Sequence, residues 1–146
     1  MASTNAPSDI PSFEGLSEGD IIAEIKRTPT RDRVLRFLGA TWMWSGQFLN
    51  ADAAAKIGLA GPIVPGPMKH AFLQQYLNRW LQGAGEIRRL QISHRRPDLQ
   101  DAEVTLGGSV TRLYEQDGDK LAELEIYIDN AEGERSVRGS ATIVFT

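Results

Sequence analysis

The sequence predicts an α+β domain in which an antiparallel β-sheet wraps around a long central α-helix, and three observations carry that prediction. From Met68 to Leu81 apolar residues recur at threes and fours, including Phe72, Tyr76, Leu77, Trp80 and Leu81, as on a helix buried along one face. After Gly85 the period falls to two, most regularly where Ala122, Leu124, Ile126 and Ile128 alternate with Glu123, Glu125 and Tyr127. The segments are joined by turn-forming stretches, Gln116-Asp117-Gly118-Asp119 and Asn130-Ala131-Glu132-Gly133, which favour hairpins and so antiparallel pairing.

In chain order, residues 1–14 are rich in Ser, Pro, Ala and Asn and are expected to form a flexible N-terminal tail, with the domain occupying 15–146. Asp20 to Ile25 reads as a strand between Gly19 and the turn-prone Thr28-Pro29-Thr30. Arg31 to Leu38 reads as a helix, capped by Thr30 and burying Val34, Leu35, Phe37 and Leu38. Ala40 to Leu49, with Trp42, Met43, Trp44 and Phe48, fits neither period. Asp52 to Ile57 is expected as a short helix with Asp52 as its cap and Gly58 at its end. Pro67 suits the first turn of the central helix, where its missing N–H costs nothing, and Gly83 or Gly85 ends that helix. Strands are expected over Ile87–Ser93, Glu103–Tyr114, Lys120–Asp129 and Ser136–Phe145.

Composition narrows the function. The chain has 146 residues, 41% hydrophobic and 24% charged, the make-up of one globular domain. It contains no cysteine, which excludes disulfides, thiolate metal sites and a cysteine nucleophile. A net charge of -3 argues against a general nucleic-acid binder. No apolar run approaches the ~18 residues of a membrane span and the polar N-terminus has no signal core, so a cytoplasmic protein is expected. The two histidines, His70 and His94, have no carboxylate or histidine at ligand spacing, and no metal is expected.

Two motifs suggest a family. Gly61-Pro62-Ile63-Val64-Pro65-Gly66 opens the central helix, and Arg95-Arg96-Pro97-Asp98-Leu99-Gln100-Asp101 leads into a long strand. With Leu16-Ser17-Glu18-Gly19-Asp20 near the start and Phe37-Leu38-Gly39-Ala40 before the irregular segment, the chain resembles the MaoC-like hydratases and dehydratases, a branch of the hot-dog fold. The resemblance implies a single hot-dog domain acting on acyl-CoA or acyl-carrier thioesters, with no cofactor. It also implies a homodimer or a heteromer with a second hot-dog subunit. Members of that family carry an Asp-x-x-x-x-His pair that activates water for addition to an enoyl thioester, work that needs a titratable group beside the double bond. Here the matching positions are Met43 and Phe48, and residues 37–60 contain no histidine and one carboxylate, Asp52. The loop also resembles the helix entry of acyl-carrier-protein dehydratases, which place a carboxylate early in the helix; this chain has His70 there, and Gln74 where hot-dog thioesterases place theirs.

By the same resemblance, Gly66 would point its N–H at the thioester carbonyl, helped by the positive end of the helix; otherwise it only permits a tight turn. Since Pro67 has no N–H, Gly66 must be the donor. His70 is either a general base or a structural residue. Trp42, Met43, Trp44 and Phe48 line an acyl pocket, pack against another subunit or form plain core. Gln47 and Asn50 could orient a water. Arg88, Arg89, His94, Arg95 and Arg96 concentrate positive charge, and of these Arg88, Arg95 and Arg96 could bind the phosphates of coenzyme A; otherwise the cluster is a solvated strand end paired with Asp98 and Asp101. The expected function is a subunit of an enoyl-CoA hydratase or 3-hydroxyacyl dehydratase whose Asp/His dyad comes from a partner chain. The alternatives are a self-sufficient hydratase, cyclase or isomerase using His70 and Gly66, and a non-catalytic acyl-thioester binding module.

Overall fold

A computed structural model describes residues 4–5 and 9–146. Of the expected tail, residues 1–3 and 6–8 lie outside the described residues. Thr4–Asn5 (β1) runs parallel to the start of Ile21–Arg27 (β2). Phe13–Gly15, which begins within the expected tail, forms one turn of 3₁₀-helix capped by the Ser12 hydroxyl, with the Phe13 ring 6.3 Å from that of Phe145. Regular structure therefore starts before the expected boundary at residue 15, because the aromatic ring of Phe13 has a place on the core.

Helix α1 (Arg31–Thr41) begins as the sequence predicts, the Thr30 hydroxyl accepting from the Arg33 N–H at 3.3 Å. It continues three residues past the expected Leu38 and stops where Trp42 turns left-handed (φ 56°). The segment that fitted neither period resolves into a helical turn, α2 (Gly46–Leu49), followed by α3 (Ala51–Lys56). The cap of α3 is Asn50 rather than the expected Asp52: its Oδ1 accepts from the Ala53 N–H at 2.7 Å, a geometry open to the residue still in extended conformation. The two short helices meet so closely that a Cβ on Gly46 would stand 2.8 Å from the Ala53 Cβ.

Helix α4 (Gly66–Leu81) is the central helix, with Pro67 in its first turn as expected. It ends at a left-handed Gln82 just before Gly83. Strands β3 (Gly85–His94), β4 (Val104–Gln116), β5 (Asp119–Asp129) and β6 (Arg135–Phe145) extend the predicted segments by a few residues. The sheet order is β1-β2-β4-β5-β6-β3, antiparallel apart from β1. Asp117 and Gly118, both with positive φ, make the two-residue turn between β4 and β5 that matches strand twist.

Leu73, Tyr76, Leu77 and Leu81 of α4 pack on Leu106, Leu124, Ile126, Ile128 and Ile143 of the sheet. Each such side chain contributes about 1.5–3 kcal/mol by leaving water. The Tyr76 hydroxyl donates toward the carbonyls of Ile22 and Ala23 at 3.2 and 3.1 Å, tying the helix to β2, and burial pushes its pKa up. A second apolar cluster, Val34, Leu38, Phe48, Val64 and Met68, fixes α1 and the loop after it against the start of α4. No described strand pairs with the outer edge of β3.

Candidate active site

Above the second cluster lies a groove of about 400 Å³ whose wall includes Gln47, Phe48, Val64, Gly66, His94 and Arg95. Gly66 is the first residue of the 16-residue helix α4. The N–H groups of Met68 and Lys69 turn back to the Pro65 carbonyl at 3.1 and 3.2 Å, Pro67 has none, and no acceptor meets the Gly66 N–H among the described residues. One donor at the positive end of a helix is thus left for a ligand.

The wall opposite Gly66 is built by the connection from β3 to β4. The Val64 N–H donates to the Asp98 carbonyl at 2.8 Å, and the Gln100 amide donates to the carbonyls of Phe48 and Ile63 at 2.8 and 3.0 Å. Beneath it Lys69 and Asp98 form an ion pair at 2.9 Å with side chains 5% and 1% exposed. Lys69 Nζ also donates to the Arg96 carbonyl at 3.1 Å, whereas Asp98 Oδ1 has no partner among the described residues. This strap carries His94, the last residue of β3, across the helix start: its Nε2 stands 2.9 Å from where a Cβ on Gly66 would be. Any side chain at 66 would displace the imidazole. Partial burial, then the Lys69 charge, lower the His94 pKa against the opposing pull of Asp98.

No protein-family model and no curated protein sequence matches the chain. Solved structures do. The (R)-hydratase from A. caviae involved in PHA biosynthesis superposes with a TM-score of 0.82 at 22% identity, over 91% of this chain and 99% of that one. The MaoC-like dehydratase from Rhodospirillum rubrum gives 0.80 at 17% identity, over 90% and 94%. The ChsH1-ChsH2 complex from Mycobacterium tuberculosis gives 0.79 at 18% identity, over 89% and 98%. The chain has the hot-dog fold of these proteins.

On this hot-dog scaffold the residues expected from the sequence separate into two sets. Gly66, Gln47, Phe48, Arg95 and Arg96 come together at the groove. Gln47 accepts a short hydrogen bond from the Ser45 hydroxyl, and Arg96 reaches Glu134 at 3.4 Å. The others lie elsewhere. Asn50 is used as the α3 cap, Gln74 is exposed on α4, and His70 is half-buried one turn along α4, outside the groove wall but close enough to bias His94 electrostatically. Arg88 pairs with Asp119 at 2.5 Å near the other end of β3, roughly 23 Å along the strand from Arg95.

The apolar segment divides as well. Met43 and Phe48 pack into the second cluster, while Trp42 and Trp44 stack edge to face outside it, 82% and 53% exposed. The left-handed turn at Trp42 puts neighbouring side chains on opposite sides. Lys69, Asp98 and Gln100 were not expected as site residues from the sequence, and His94 was expected only as a member of the cationic cluster with Arg95 and Arg96, not at the start of the central helix.

Proposed function

We propose that the chain is an acyl-thioester subunit of an enoyl-CoA hydratase or 3-hydroxyacyl dehydratase that works with a second hot-dog chain supplying the Asp/His dyad. One observation carries this reading: among the described residues the groove keeps a free Gly66 N–H at the start of the central helix, while Phe48 packs into an apolar cluster and Met43 against it, the two residues that the resemblance matches to the dyad. The likeness to the ChsH1-ChsH2 complex and the unpaired edge of β3 support a partner of the same fold.

In this reading the thioester oxygen accepts from the Gly66 N–H. The helix end stabilises the negative charge that grows on that oxygen as water adds at the far end of the double bond, a contribution of the oxyanion-hole kind worth about 3–4 kcal/mol. Phe48 and Val64 give the acyl chain an apolar wall, and Arg95 and Arg96 at the rim suit the carrier's phosphates. The partner's carboxylate and imidazole hold and deprotonate the water, because Gln47, the polar side chain nearest those positions, is no base. Calorimetric titration of the purified chain with crotonyl-CoA tests the binding half. Saturable binding weakened at least about tenfold in the double variant Arg95→Ala/Arg96→Ala supports it; no binding, or binding indifferent to both arginines, contradicts it.

A further inference from the structure

We propose that His94 is a proton-transferring catalytic residue of the groove, exchanging the proton on the carbon next to the carbonyl of an acyl thioester whose oxygen rests on the Gly66 N–H. The proposal rests on the acyl-thioester reading of the groove but needs no partner chain. It starts from position. Three atoms of the imidazole lie within 3.5 Å of the space a Gly66 side chain would occupy, so the ring packs directly on the residue that offers its N–H to the groove. His94 and Gly66 line the same groove, whereas His70 does not. The surroundings of the ring also leave it free to act. Among the described residues no side chain or carbonyl hydrogen-bonds the ring, and its nitrogens are available to a ligand.

The charged groups that face His94 come from two elements. Lys69 and His70 on α4 favour the neutral ring, and Asp98 on the strap opposes them. Lys69 is held in a buried ion pair, which keeps its ammonium in place beneath the ring. Arg95 and Arg96 follow His94 in the chain, and Arg138 sits on β6 opposite Ser93; both neighbourhoods add positive charge. An imidazole whose pKa is lowered by burial and by Lys69 is a base ready to accept a proton near neutrality.

The step conserves atoms and electrons without a co-reactant. Nε2 takes the proton from the carbon next to the carbonyl. The C–H electron pair moves into the carbon–carbon bond, and the carbonyl π pair moves onto the oxygen held by Gly66. The imidazolium then returns a proton to the same carbon and restores the thioester. In heavy water the imidazolium gives the abstracted proton to solvent and takes up a deuteron before returning it to the carbon, so exchange is visible on a saturated thioester that cannot be hydrated.

The test follows butyryl-CoA in heavy water by proton NMR with the full chain alone, beside calorimetric binding. Wild type is expected to exchange the protons next to the carbonyl, and His94→Gln to bind within about threefold of wild type while exchanging at least about 100-fold more slowly. His94→Phe, which keeps a ring of similar size, guards against a folding defect in the first variant and is expected to lose exchange equally. Binding by wild type without exchange would overturn the role of His94 and leave the acyl-thioester reading standing. Undiminished exchange in both variants would place the base elsewhere and do the same. No binding by wild type would overturn both readings. The exchange rate is expected to rise with pH and level off below the ordinary histidine value, since burial and Lys69 lower the His94 pKa.

Discussion

At the scale of single residues the site depends on a few close contacts that make sharp predictions. Gly66→Ala places a methyl group 2.9 Å from Nε2 of His94, and the ring, being the mobile end of a side chain, is the part that yields. Stability is expected to change by less than about 1 kcal/mol, while the His94 pKa, followed by NMR titration, rises toward its ordinary value as the ring swings into water. The lowered pKa also sets a pH dependence of stability. Below about 6.5 the unfolded chain binds a proton at this position that the folded chain resists, so stability falls as pH drops through that value. His94→Gln should remove this component from the pH profile of urea unfolding. Asp98→Ala leaves the Lys69 charge buried and alone, and is expected to cost about 3–5 kcal/mol, whereas the double replacement Lys69→Met/Asp98→Leu costs much less. Gly66 was legible in the sequence because proline follows it. His94 was not, because its contact with the helix start depends on where β3 ends relative to α4, a register that no local pattern encodes.

At the scale of elements, sequence reading succeeded where a period was sustained and failed where packing decided. Helix α4 and the β4–β5 hairpin have clear periods and turn residues, and their limits fall within a few residues of expectation. The segment from Ala40 to Leu49 has no period because α1 ends on a left-handed Trp42 and a separate turn follows, so adjacent aromatic residues take opposite sides. Its buried member is the structural one: Phe48→Ala is expected to destabilise by about 3–5 kcal/mol in chemical denaturation. Trp42→Ala, which removes an exposed ring, should leave the isolated chain within about 0.5 kcal/mol of wild type. The strap between β3 and β4 was visible as a motif but not as a structural support, because Gln100 and Asp98 act through distant carbonyls and a buried lysine.

At the scale of the whole molecule, the hot-dog scaffold presents a groove with a helix-end donor, a charged rim and an apolar wall, and among the described residues no strand pairs with the outer edge of β3. In the proposed reading the acid–base pair that water addition requires comes from a partner, because Phe48 is buried in the second apolar cluster and Met43 packs against it. The fold was legible in the order and spacing of short motifs; the identity of a partner is written in another sequence. The central claim is therefore tested most directly by the loss of enoyl-thioester absorbance with crotonyl-CoA and a polycyclic enoyl-CoA. The purified chain is assayed alone, and then together with a co-expressed hot-dog chain that carries an intact Asp-x-x-x-x-His pair. No hydration by the chain alone, and hydration by the pair that disappears when the partner's dyad is replaced by alanine, is the predicted result. Hydration by the folded chain alone would contradict it.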